Sequence, residues 1–149
     1  MHQTDISELI TDIESFHLPK YNEIPNVGLY LEQNAKYICE ALLPIYDNAI
    51  TASMISNYVK KKLVENPVKK QYDREQIAYL IFIVIAKNVL SMDNISLTIE
   101  VQRNSYKSAD AYNYFASEFE DILSYVFGLK NYPQETDENF SDEKRMLRN

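Results

Sequence analysis

The chain has 149 residues, a formal net charge of −7 and 46% hydrophobic content, which fits one domain with a real core and excludes wholesale disorder. Two glycines and five prolines are too few for a turn-rich β-sandwich, and a single cysteine, Cys39, excludes an internal disulfide. The longest apolar run, Ile77 to Ala86, stops well short of the roughly 20 residues a membrane span needs. No basic-then-apolar leader opens the chain, so a mainly helical, cytoplasmic protein without a membrane partner is expected.

The first predicted element is TDISELITDIESF, where Ile6, Leu9, Ile10, Ile13 and Phe16 recur at helical spacing and Thr4 or Asp5 supplies a cap. The prolines of HLPKYNEIPNVG end that helix and make the segment an ordered connector or arm. From Leu29 to Leu43 a second helix aligns Leu31, Ala35, Ile38, Cys39 and Leu42 in one stripe, which turns Cys39 to the core, and Pro44 stops it. After a turn at Asp47 to Ile50, Thr51 is the N-cap of ASMISNYVKKK. Met54, Ile55, Tyr58 and Val59 face inward there, leaving Ser53, Ser56, Asn57, Lys60 and Lys61 outside.

In LVENPVKKQY the pattern predicts a small hairpin: Leu63 and Val64 extended, a turn at Glu65-Asn66-Pro67, and a second strand from Val68 to Tyr72. Asp73 and Gln76 form a capping box that opens a helix running through about Leu90. Ser91 repeats the cap for SMDNISLTI, expected as a short helix or turn, and a polar link follows. SADAYNYFASEFEDILSYVFG then sets Tyr112, Phe115, Phe119, Ile122, Leu123 and Val126 along one side of a last amphipathic helix ending near Gly128. From Pro133 the chain is acidic, poor in apolar groups and expected to be disordered, with Met146 and Leu147 as docking residues. These elements divide the chain into a helix and arm at 1–28, a domain at 29–100, a C-terminal helix at 101–131 and a tail at 132–149.

Charge is distributed unevenly along this order. Asn57 to Arg74 carries a net +4, whereas the remainder carries −11. With a Debye length of about 8 Å at physiological salt, a ligand docked on this stretch feels mainly the local sign. Helix, turn, helix with an exposed polar face, a lysine-bearing wing and a capped long helix follow the order of a winged helix-turn-helix. Lys60, Lys61, Lys62, Lys69 and Lys70 fit the phosphate walls beside a major groove of double-stranded DNA. Asn57 and Gln71 suit adenine edges, and Ser53 and Ser56 suit a base or a phosphate. Tyr72 and Arg74, at the wing root and a helix start, are candidates for backbone contacts, and Tyr58 for a place at the rim.

Over ITASMISNYVKKKLVENPVKKQYDREQIAYLIFIVIAKNVLSMDNI the residues resemble the DNA-binding head of MerR-type regulators. Together with LPKYNEIPNVGLYLEQ, the stretch from about Leu18 to Glu100 also resembles an uncharacterised bacterial domain family suspected of acting in transcription. The MerR resemblance implies a mainly α, winged helix-turn-helix fold with a β-hairpin wing and flanking terminal helices. The turn glycine of that pattern falls on Lys62, which implies left-handed backbone there at a strain of about 1 kcal/mol. It also implies a homodimer formed by the C-terminal helix, with Tyr112, Phe115, Phe119, Ile122 and Val126 either pairing two copies or packing on the long helix.

No catalytic set converges in the sequence: His2 and His17 lie in the N-terminal region, Cys39 sits on an apolar stripe, and Gly28 and Gly128 are isolated. Glu118, Glu120 and Asp121 read as the wet face of the last helix. The expectation is therefore a non-enzymatic, repressor-like DNA-binding regulator with no cofactor. The alternatives are a winged-helix module that binds an acidic protein, or a sensor with a small-ligand pocket between the last helix and the core.

Overall fold

A computed structural model describes residues 6–128; the expected caps Thr4 and Asp5, His2 and the acidic tail with Met146 and Leu147 lie outside the described residues. Among the described residues six α-helices follow in chain order: α1 (Ile6–Ser15), α2 (Leu31–Leu42), α3 (Ala52–Lys60), α4 (Arg74–Ala86), α5 (Met92–Ser105) and α6 (Ser108–Val126). A 3-10 turn, Tyr21–Glu23, interrupts the arm. Two short strands, β1 (Leu29–Tyr30) and β2 (Gln71–Tyr72), pair antiparallel with Leu29 opposite Tyr72 and Tyr30 opposite Gln71. Among the described residues no helix is long and apolar enough to cross a membrane.

The core is organised around α4. Its residues are apolar on every side, and from Ile77 to Ala86 all but Phe82 are buried, as an all-round apolar helix requires. α2 and α6 both pack on it, α3 packs on α2, and α5 joins α6. Asp73 and Gln76 start α4 reciprocally: the Gln76 N–H donates to Asp73 Oδ1 at 2.9 Å and the Asp73 N–H to Gln76 Oε1 at 2.7 Å. Thr51 Oγ1 accepts from the Met54 N–H at 3.1 Å and Ser91 Oγ from the Asn94 N–H at 3.2 Å, so all three internal caps form as the sequence indicates.

Four boundaries differ from the sequence reading. Leu29 and Tyr30 are strand rather than helix, because Gly28 at φ 77° turns the chain and the two residues pair with β2; α2 begins only after the Tyr30 N–H finds Gln33 Oε1. The expected hairpin between 63–64 and 68–72 does not form. Leu63 and Val64 are buried in the core, and Val68 and Gln71 bridge each other instead, closing a two-residue loop. α4 stops at Ala86, with Lys87 to Leu90 as a closing turn stitched by the Asn88 amide to Val84 O and to the Tyr46 hydroxyl. α5 is a 14-residue helix rather than a short turn followed by a link, since Ile95 and Ile99 reach the core one turn apart.

The stripe on α6 divides. Tyr112 is buried and donates to Pro19 O at 2.6 Å. Phe115 meets Phe82 edge-on at 5.1 Å, and Phe119 meets Phe16 of the α1 end at 6.5 Å. These three pack within the chain, Phe115 and Phe119 only partly buried, whereas Ile122 and Val126 are 53% and 65% exposed. Asn34 on α2 is fully buried, and neither atom of its amide has a hydrogen-bond partner among the described residues.

Candidate nucleic-acid interface

α3 presents its polar face because its apolar one is fixed. Ile55 and Tyr58 are buried, so Ser53, Ser56, Asn57 and Lys60 project outward. The helix closes with a Schellman motif: the Lys62 N–H donates to Val59 O at 2.9 Å and the Leu63 N–H to Tyr58 O at 3.0 Å. Lys62 stands at φ 63°, the left-handed position that the sequence pattern assigned to it, and buried Leu63 anchors the exit. Lys61 and Lys62 are exposed at the helix end.

The second group of lysines forms the tip of the Val68–Gln71 loop. The Val68 N–H donates to Gln71 O at 3.1 Å and the Gln71 N–H to Val68 O at 3.0 Å, while Lys69 and Lys70 between them stand at φ 52° and 64°. Positive φ at both central residues is the mark of a type I′ turn, whose usual occupants are Asn-Gly because other residues are strained there. Three of the five clustered lysines therefore occupy left-handed backbone, at about 1 kcal/mol each. Among the described residues, none of the five lies within 4.0 Å of a carboxylate. Seven peptide units separate Lys62 from Lys69, which limits the two Cα atoms to about 25 Å.

Several residues expected at this face lie elsewhere. Tyr58 and Tyr72 are 3% and 4% exposed, and burial pushes both phenol pKa values upward, so neither offers a free edge to a ligand. Arg74 turns inward on the arm: Nε donates to Ile24 O at 2.8 Å, the guanidinium to Asn22 O at 3.2 Å, and Cζ lies 5.7 Å from the centre of the Tyr21 ring. Gln71 is half-buried, with its amide against Gly28, where an added Cβ would stand 2.7 Å from Gln71 Oε1. The exposed set is Ser53, Ser56, Asn57, Lys60, Lys61, Lys62, Lys69 and Lys70.

Two supports were not visible from spacing. Gln76 is buried beneath the loop and its Nε2 donates to Glu65 O at 3.0 Å and Asn66 O at 3.1 Å, holding the segment that joins the two lysine groups. Its place in the capping box was the available signal, but that explained only its oxygen. The arm is tied to α6 by Glu120, which accepts the Leu18 N–H at 2.8 Å and pairs with His17 at 3.3 Å, and by Asn113 Oδ1, which accepts the Tyr21 N–H at 2.8 Å. Among the described residues no group of His, Cys, Asp and Glu is placed to hold a metal ion. Cys39 is partly buried and donates to Ile50 O at 3.1 Å.

The architecture is that of a mainly helical domain with one small antiparallel β-pairing. The chain belongs to the family described as Domain of unknown function (DUF1836), which matches residues 19–115. The matched stretch runs from Pro19 in the arm to Phe115 in α6 and includes the Asn113 and Arg74 bonds to the arm but not those of Glu120. Neither a curated protein nor a solved structure matches the chain.

Proposed function

We propose that this protein is a sequence-specific regulator of transcription that binds double-stranded DNA through a winged helix-turn-helix-like unit formed by α2, α3, the Lys69–Lys70 loop and α4. The observation that carries this reading is the backbone strain at Lys62, Lys69 and Lys70. Stability alone favours glycine or asparagine at each position, and strained residues in exposed places are where function overrides folding. An exposed pair of lysines at a tight turn and three more at a helix end supply phosphate contacts without reading bases. Asn57, Ser53 and Ser56, on the exposed face of α3, supply hydrogen-bonding groups of the kind that read base edges.

The order of elements supports the same reading. A strand precedes α2, α3 follows after a turn, and the loop leads into β2, which pairs back on β1. In the proposed reading α3 acts as the recognition helix and the loop tip as its wing. A second copy, if used on a palindromic site, would join through the remaining α6 residues Ile122 and Val126.

The test is a gel shift against a genomic fragment pool, followed by a salt titration on the bound fragment. Four to six phosphate contacts give a slope of log K against log salt of roughly −4 to −5. Lys69→Ala with Lys70→Ala weakens binding to all sequences alike, whereas Asn57→Ala loses discrimination at one base position. Retention of full affinity in both variants overturns the assignment, and capture of an acidic protein with no DNA in the shift favours the protein-binding alternative.

A further inference from the structure

We propose that the outer face of the β1–β2 pairing is a contact surface for the sugar–phosphate backbone of duplex DNA, with Tyr30 as its principal apolar contact. The register of the pairing carries the argument. Tyr30 stands opposite Gln71, and Val68 bridges Gln71 from the other side, so the three side chains lie abreast on one face at about 5 Å from neighbour to neighbour. The opposite face packs inward: it carries Tyr72, at 4% exposure, and Leu29, which lies against the core. On the outer face Tyr30 is 52% and Val68 74% exposed, and Gln71 between them rests its amide on Gly28, next to exposed Val27.

A single exposed apolar side chain is ordinary; here the row adjoins a pair of cations. Lys69 and Lys70 form the turn that joins Val68 to Gln71, so one end of the row carries two exposed ammonium groups. The local sign is unmixed: residues 25–31 and 66–72, which build the face, contain these two lysines and no acidic residue. Along a DNA strand, anionic phosphates alternate with the apolar edges of deoxyribose, and a face of this composition complements both. The lysines hold phosphate by charge. Tyr30 and Val68 exclude water from the sugars between, which adds affinity that does not depend on salt. This inference rests on the DNA-binding reading and deepens it, because the pairing brings a residue 40 positions before Lys70 onto the surface of the wing.

The experiment is fluorescence anisotropy of the full chain on two duplexes, a fragment retained in the gel shift and an unrelated sequence of equal length, each across a salt series. Tyr30→Ala is expected to weaken binding to both duplexes by about fivefold, with the slope of log K against log salt unchanged because no charge is removed. Tyr30→Phe, which keeps the ring, stays within about twofold of the wild-type chain. The Tyr30 variants keep the bond from the residue 30 N–H to Gln33 Oε1 that opens α2. Val68→Ser, with an exposed side chain and its backbone bonds to Gln71 retained, provides a second test that does not disturb the core, and weakens binding by about twofold to threefold. Wild-type affinity in either Tyr30→Ala or Val68→Ser overturns the proposal and leaves the DNA-binding reading standing. So does a loss in Tyr30→Ala confined to one duplex, which would make Tyr30 a reader of bases. A wild-type chain that shifts no DNA overturns both; its cosedimentation with phosphatidylserine vesicles, lost in Tyr30→Glu, would then assign the face to an anionic membrane surface.

Discussion

Gln76 lies directly beneath the carbonyl group of Glu65, with its side-chain amide 3.0 Å from that oxygen, and the same residue closes the N-terminal box of α4. One buried side chain thus joins the start of the central helix to the loop between the two lysine groups. Replacement by alanine removes the box and leaves two loop carbonyls without their donor. Gln76→Ala is expected to lower stability by about 2–3 kcal/mol, a drop of roughly 6–10 °C in melting temperature. Circular dichroism melting measures it, and Gln76→Glu, which keeps the box oxygen but sets a buried carboxylate oxygen against the two loop carbonyls, should be at least as destabilising at neutral pH.

The lysine tip gives a prediction in which stability and binding move in opposite directions. Lys69→Asn with Lys70→Gly matches the left-handed backbone and is expected to stabilise the fold by about 1–2 kcal/mol. It also removes two charges, so DNA affinity should fall and the salt slope should shrink by about 2. Lys62→Gly should stabilise by up to about 1 kcal/mol on the same ground. A lower melting temperature in either variant contradicts the turn geometry.

Arg74 holds the arm from the other side of α4. Arg74→Met removes both carbonyl contacts and the contact with Tyr21, and should cost about 1.5–3 kcal/mol. Because those contacts are local to residues 21–24, the readout is faster trypsin cleavage after Lys20 under native conditions. Unchanged cleavage at that bond would mean that the α6 contacts alone secure the arm.

Alkaline pH should unfold this protein. Tyr112 has its pKa raised above the ordinary value of 10, chiefly by burial, with smaller contributions from Tyr37, Glu120 and Glu23, and Tyr58 and Tyr72 shift the same way through burial. A raised folded-state value means that the stability linked to these phenols is fully present below pH 10 and is lost as pH rises through their folded values. Urea unfolding should therefore give the same midpoint at pH 7 and 9 and a falling one above 10. Tyr112→Phe should weaken that fall while losing about 1 kcal/mol at neutral pH with the bond to Pro19.

Asn34 offers a stabilising substitution. Both polar atoms of its amide are buried and without a partner among the described residues, so Asn34→Val, which removes them at moderate change in volume, should stabilise by about 1 kcal/mol. A lower denaturation midpoint would instead show that the amide is satisfied by an internal water.

Local features were legible in the sequence because their bonds close within a few residues. Thr51, Ser91 and the Asp73–Gln76 box each act over three positions, and the apolar character of Ile77 to Ala86 requires burial whatever surrounds it. Tertiary structure alone decided what lies far apart in the chain. Gln71 and Tyr72 pair with Leu29 and Tyr30 rather than with Leu63 and Val64, since those two side chains gain more from the core than from a strand. Arg74, two residues beyond the wing and equally cationic on paper, turns to carbonyls supplied by residues 22 and 24, and Tyr112 and Phe119 meet the arm and the end of α1. Periodicity specifies which face of a helix is apolar; it carries no information about which partner covers that face, because burial is non-directional and only the assembled chain selects among the surfaces available.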